Sequence, residues 1–429
     1  MKPGFLFIIS FFAINLLFAE VKDHEPIVVV TADKGDWVYK IGEKVSFTVK
    51  ITKDGQQVKV PKVKYQVGLE RMTPSIVDSA ELLSGILTID GGTLKEPGFL
   101  RCIATVKIAG KTYKGLATAA FEPEKIKPTT VVPEDFHHFW DSLKTESSKL
   151  PLKAKVRMIE DKSTDKVKAY EVSIQNIDGS LIYGTLAVPE KPGKYPAILK
   201  VPGAGVRPYG PDIATAGKGF IVFKIGIHGV PVTMELDEYA KLANGRLKGY
   251  PYFNADNRDE YYFKRVIIGC LRSLDYIAGL PEFDGKNIGV TGGSQGGALT
   301  IITAALDKRV KYLASYFPGL ADLTGPLHGR TGGWPHTLER VGRSKELIET
   351  SRYYDVVNFA RQLTIPGMYT WGFNDETCPP TSIYAAYNSI TAPKDVLIVK
   401  EAGHKYFPEQ RRTLDSWIES KLLQRNNDY

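Results

Sequence analysis

Three residues have side chains that make a hydrolytic machine when brought together: a serine, an aspartate and a histidine, in that order along the chain. Ser294 stands in "VTGGSQGGALT" (Val290–Thr300), Asp375 in "GFNDETCPP" and His404 in "KEAGHKYFP". A serine hydroxyl is a weak nucleophile at neutral pH. It becomes effective toward a carbonyl when an imidazole takes its proton and a carboxylate orients that imidazole. The Gly-Xaa-Ser-Xaa-Gly spacing arises cheaply in a chain with 40 glycines. What gives it meaning is a strand before it and a helix after it.

The elements that must position these side chains are legible. Asn287–Val290 reads as a short buried strand, the glycine-cornered stretch from Gly292 to Gly296 as a turn, and Gly297–Leu306 as a helix. A Cβ at 292 or 296 would collide as the helix folds back on the strand, and the corner serine is pushed into an unfavourable backbone conformation. Asp375 follows the strand Gly367–Trp371, and His404 follows the strand Asp395–Val399. Nucleophile, acid and base in this order, each at a strand's carboxyl end, is the α/β-hydrolase arrangement. Two carboxylates compete with Asp375: Glu376 is one residue along the same loop and should point elsewhere, and Asp322 in "PGLADL" follows the wrong strand. For the oxyanion, the candidate donors are the N–H of Gln295, opening the helix, and the N–H of Ala204 in "PGAGVRPYG", after the strand Ala197–Val201.

Around these motifs, the second part of the chain reads as a hairpin (Val167–Ile174 and Leu181–Val188) followed by alternating strands and helices. That is the order of a doubly wound, mostly parallel sheet. Before it, short alternating runs such as "EKVSFTVKI" predict a small all-β, immunoglobulin-like sandwich over residues 20–122. A proline-punctuated linker (123–135) leads into the α/β-hydrolase domain (136–429). Trp37 in the sandwich admits two readings, a carbohydrate platform or part of a spacer or docking module. Residues 1–19 have the layout of a secretory signal peptide: Lys2, an apolar run too short to span a bilayer, and Ala19. No cysteine near the cleavage point would carry a lipid. A periplasmic or secreted protein without a membrane span is expected.

Bulk properties narrow the classes further. The chain has 429 residues, 43% hydrophobic and 24% charged, with a net charge of +8. That charge is dispersed, so nucleic acid is not an expected partner. Three cysteines, Cys102, Cys270 and Cys378, lie far apart. They have neither metal-ligand spacing nor the density of a disulfide scaffold, so no metal is expected, and buried free thiols are expected ahead of the alternative in which one pair, not identifiable from sequence, bridges in an oxidising compartment.

Longer stretches, "YYFKRVIIGCLRSLDYIAGLPEFDGKNIGVTGGSQGGAL", "AALDKRVKYLASYFPGLAD" and "CPPTSIYAAYNSITAPKDVLIV", resemble the acetyl xylan esterase and cephalosporin-C deacetylase family of carbohydrate esterases. The resemblance covers nearly all of the second domain. It implies a cofactor-independent acyl-enzyme mechanism on acetylated carbohydrate, with nucleophile, acid and base falling on Ser294, Asp375 and His404. The chain departs from the family pattern in three places. His228-Gly229-Val230 replaces Arg-Gly-Gln, Lys405 replaces a glutamate after the histidine, and Ala204 replaces an aromatic residue. Lys405 and the nearby Arg207 are therefore candidate substrate contacts, and an acidic ester, pectic or uronate, is an alternative substrate. A prolyl peptidase fits less well, because glutamine and not an aromatic residue follows the serine. A decayed, non-catalytic carbohydrate-binding scaffold is the remaining alternative, and an intact triad argues against it.

Overall fold

The computed structural model describes residues 25–58, 60–82 and 85–424, so the leader expected at residues 1–19 lies outside them. Among the described residues the N-terminal part has nine strands: β1 (Ile27–Ala32), β2 (Val38–Tyr39), β3 (Val45–Lys53), β4 (Gln56–Gln57), β5 (Val60–Leu69), β6 (Ile76–Leu82), β7 (Ile86–Gly92), β8 (Gly98–Ile108) and β9 (Lys111–Phe121). They form two sheets. One has the order β1-β3-β4 with β7 also on β3, and the other runs β2-β9-β8-β5-β6. The period of two in the sequence explains the layering. In β3, Val45, Phe47, Val49 and Ile51 alternate inward and are fully buried, each removing apolar surface worth on the order of 2 kcal/mol. Trp37 is only 3% exposed, and the Lys400 ammonium lies 5.5 Å from its ring centroid. It therefore offers no face on which a sugar could stack.

Residues 123–135 do not hang free between the two parts. The carbonyls of Pro123 and Ile126 accept from Asn388 Nδ2 at 2.9 and 3.0 Å, and the Asp135 carboxylate pairs with Arg258 at 2.7 Å. A proline-rich, polar composition predicts a tether, but here its backbone acceptors are satisfied by the second domain.

The second part is built on a nine-stranded sheet: β10 (Lys155–Met158), β11 (Val167–Gln175), β12 (Leu181–Pro189), β13 (Tyr195–Lys200), β14 (Ile221–Gly226), β15 (Phe283–Gly293), β16 (Val310–Tyr316), β17 (Gly367–Trp371) and β18 (Lys394–Ile398). Its order is β10-β11-β12-β14-β13-β15-β16-β17-β18. The β10–β11, β11–β12 and β12–β14 pairs are antiparallel, and β13 through β18 are parallel to one another. From β13 the chain steps one way to β14, then crosses back to β15. This reversal opens a crevice at the carboxyl ends of β13 and β15, where ligands of doubly wound sheets bind. The helix Gln295–Leu306 runs out of that crevice. It is buried almost all round, as its apolar sequence requires. Among the described residues no helix is long and apolar enough to cross a membrane.

Candidate active site

β15 runs three residues beyond the expected strand end and delivers Ser294 to the corner with φ 61° and ψ −123°. For a residue with a Cβ this is strained backbone, held only because its surroundings over-determine it. The Ser294 N–H donates to the Tyr316 carbonyl at 3.0 Å, and its own carbonyl accepts from Gly319 N–H at 3.0 Å and Ala298 N–H at 3.1 Å. The flanking glycines are steric necessities. A Cβ on Gly292 would stand 2.5 Å from the Val201 carbonyl oxygen, and one on Gly296 would meet the same oxygen at 2.5 Å and the Pro202 carbonyl carbon at 2.9 Å.

Ser294, Asp375 and His404 come together from three strand ends. Ser294 Oγ lies 2.9 Å from His404 Nε2, and His404 Nδ1 lies 2.8 Å from Asp375 Oδ2. The carboxylate can only accept, so Nδ1 carries the proton and donates, leaving Nε2 free to accept from the serine hydroxyl. Asp375 is fully buried, and its other oxygen accepts from the N–H groups of Thr377 and Cys378, both at 2.8 Å. The Phe317 ring packs edge-on against the imidazole, 4.8 Å between centroids. The competing carboxylates go elsewhere. Glu376 forms an ion pair with Lys114 at 2.6 Å, and Asp322 is buried against Thr129 and Arg330.

The second wall of the crevice is the loop after β13 that carries Gly203, Ala204 and Gly205. A Cβ on Gly203 would lie 3.9 Å from Ser294 Cβ, so this loop runs directly alongside the nucleophile. A chain of side chains ties it to the elbow. Tyr250 O–H donates to Gln295 Oε1 at 2.7 Å, Gln295 Nε2 donates to the Pro202 carbonyl at 3.2 Å, and Gly205 N–H donates to the Tyr250 oxygen at 3.3 Å. Gln295 opens its helix, where the first N–H groups have no partner within the helix and point outward.

His228, which replaces the arginine of the family pattern, braces this loop from below. Its Nε2–H donates to the Gly205 carbonyl at 3.0 Å, and Nδ1 accepts from Tyr262 O–H at 2.7 Å. Burial drives its pKa down to about 4, which keeps the ring neutral and this tautomer in place. Arg207 is exposed and donates to the Ala204 carbonyl at 2.9 Å. Lys405 is exposed, with its ammonium 5.1 Å from the Phe407 ring centroid. The three thiols are free and buried. Among the described residues no group of acidic, histidine or cysteine side chains is placed to hold a metal ion.

Tyr250 and Tyr262 escape sequence reading because they sit in irregular or helical segments without a chemical signature. The only flag for His228 is the departure from Arg-Gly-Gln.

With this geometry in place, likeness to known proteins becomes informative. The model of the family described as acetyl xylan esterase matches residues 121–420. The acetyl esterase Axe7A of Xylanibacter ruminicola is 38% identical over 394 residues, covering 90% of this chain and 89% of its own. Among solved structures, an acetyl xylan esterase from Paenibacillus sp. R4 superposes with a TM-score of 0.61 at 28% identity, over 70% of this chain and 98% of its own. Acetyl xylan esterase 1 from Thermoanaerobacterium sp. JW/SL YS485, at 22% identity and the same TM-score over 70% of this chain and 97% of its own, shares the fold.

Proposed function

This chain belongs to the acetyl xylan esterase family, serine hydrolases that release acetyl groups from xylan-type carbohydrate, and we propose that it does so with Ser294 as nucleophile, His404 as general base and acid, and Asp375 as the orienting carboxylate. The observation that carries this reading is the unbroken chain Ser294–His404–Asp375, with both contacts under 3 Å. His404 Nε2 takes the hydroxyl proton as Oγ bonds to the acetyl carbonyl carbon. Negative charge gathers on the carbonyl oxygen between the N–H groups of Gln295 and Ala204, and the helix dipole behind Gln295 adds to its stabilisation. The imidazolium returns its proton to the sugar oxygen as the carbon–oxygen bond breaks, leaving acetyl on Ser294. Water repeats the sequence, again through His404, and acetate departs. No cofactor is required by these steps. The leader-like residues 1–19 support export to the periplasm or beyond.

Arg207 and Lys405 are exposed basic side chains on the loops that carry Ala204 and His404, and the Arg207 guanidinium, 3.3 Å from where a Cβ on Gly203 would stand, favours a second reading in which the ester sits on an acidic sugar. The first reading expects higher kcat/KM on acetylated xylan than on pectic esters and little change in that ratio in Arg207→Ala; the second expects the reverse. For the chemistry itself, Ser294→Ala should lower kcat on acetylated xylan and on a small acetyl ester by at least about 10⁴-fold. It should also abolish labelling by a fluorophosphonate. Retained hydrolysis or labelling in that variant rejects the assignment.

A further inference from the structure

The loop that carries Asp375 is held from two sides, and one of them is the other domain. From β8, Arg101 Nη2 donates to the carbonyls of Phe373 at 3.0 Å and of Asp375 itself at 3.1 Å. Its Nε donates to Thr118 Oγ1 at 2.8 Å, and that hydroxyl donates to Asn374 Oδ1 at 3.0 Å. Asn374 Nδ2 in turn donates to the Leu116 carbonyl at 3.2 Å. Arg71 donates to the Glu376 carbonyl at 2.9 Å, beside the Lys114–Glu376 ion pair. Each residue from 373 to 376 is thus bonded to the N-terminal domain. Glu70, 3.4 Å from Arg101, completes the grip by accepting from Thr381 N–H at 2.7 Å, in the first turn of the helix that follows the loop.

The burial of this pair is what needs explaining. Arg101 and Glu70 are 4% and 2% exposed, and taking such a pair out of water carries a desolvation penalty that apolar residues in their place would not meet. An interface needing adhesion alone would do better with apolar contacts, such as the neighbouring Phe99 ring against Phe373 at 5.3 Å. A rigid guanidinium bonded to two carbonyls of one loop supplies something apolar contacts do not, a fixed place and direction for that loop's backbone. On the loop's other side the Phe373 and Asn374 N–H groups donate to the Lys400 and Ala402 carbonyls, both at 3.1 Å, so Arg101 fixes the loop through its outward carbonyls while the hydrolase domain holds its N–H groups.

We propose that Arg101 is a positioning residue for Asp375, and that the N-terminal β domain is a clamp on the acid loop, so that the esterase is assembled from both domains. The inference rests on Asp375 being the orienting carboxylate. Its test compares Arg101→Met, Arg101→Lys and Asp375→Asn in the full chain, on a small acetyl ester, well below each variant's Tm, with active enzyme counted by fluorophosphonate titration. Arg101→Met should lower kcat roughly tenfold to a hundredfold, the scale of a small misplacement at the reacting groups, with KM nearly unchanged. Arg101→Lys, which keeps a donor, should recover part of the loss. Should Arg101→Met fail to fold, Glu70→Met/Arg101→Met removes both buried charges together and reads the same loss. Wild-type kcat per active site in the folded variant overturns the clamp. Wild-type kcat in Asp375→Asn overturns the triad instead, so the two failures are distinct.

Discussion

At the residue scale the site depends on one side chain staying neutral. His228 holds the Gly205 carbonyl with one nitrogen and accepts from Tyr262 with the other, and protonation would turn that acceptor into a second donor facing a hydroxyl. Its folded pKa is near 4, against about 6.5 for an exposed histidine. Between these values the unfolded chain binds a proton that the folded chain refuses, so this contribution to stability is intact above pH 6.5 and is lost as pH falls toward 4. The loss is on the order of 3 kcal/mol when complete. His228→Gln, which does not titrate, should flatten the pH dependence of unfolding free energy across that interval by up to one proton. Denaturant unfolding at a series of pH values measures it, and parallel curves for the two proteins contradict it. Ser294, Asp375 and His404 were legible in the sequence because each ends a recognisable strand in a fixed order. His228, Tyr250 and Tyr262 were not, because what brings them to the site is a contact between segments 23 to 45 residues apart, with no periodicity to announce it. Of the two readings that Trp37 admits, its burial removes the carbohydrate platform.

The element scale is where the sequence was most informative. An apolar run, a glycine corner and a second apolar run specify β15, the elbow and its helix almost by themselves, because no other backbone path satisfies both the burial and the glycines. The hairpin around Asp178-Gly179 was equally clear, since alternation fixes which face is buried. β10 was missed. It is four residues long, mostly exposed and at the sheet edge, so neither alternation nor a hydrophobic run marks it. The elbow makes its own prediction. Gly296→Ala places a methyl against the backbone of Val201 and Pro202, which cannot swing aside as a flexible side chain would. The helix or the oxyanion loop must move, at a cost of about 1–3 kcal/mol. The variant should melt at lower temperature and lose kcat far more than it raises KM. A variant matching the parent in both would mean that the corner is more yielding than the packing implies.

At the scale of the whole molecule, the change from a β-rich N-terminal region to a mostly parallel sheet with helices was readable from the switch in hydrophobic period, but the contacts between the two were not. A basic residue in a strand, such as Arg101, reads as a solvated face, and nothing local distinguishes it from one buried against a loop some 270 residues away. A polar, proline-rich stretch likewise reads as a tether. Because that stretch and the β domain are both hydrogen-bonded to the hydrolase domain, heat should unfold the chain in a single transition, with calorimetric and van't Hoff enthalpies agreeing. Two resolved transitions would show domains that merely lie side by side.

The three thiols give that cooperativity a clock. Cys102 belongs to the β domain, Cys270 to the helix Tyr262–Ala278 and Cys378 to the acid loop, and none is exposed. Burial raises the Cys102 and Cys270 thiols to about 12 and the Cys378 thiol well above its ordinary value. A thiol that is both covered and protonated is inert to alkylating reagents until its surroundings open. Pulsed alkylation of the unmodified enzyme therefore times the opening of each region without any introduced label. If the two domains stand or fall together, Cys102 and Cys378 will be trapped at the same rate.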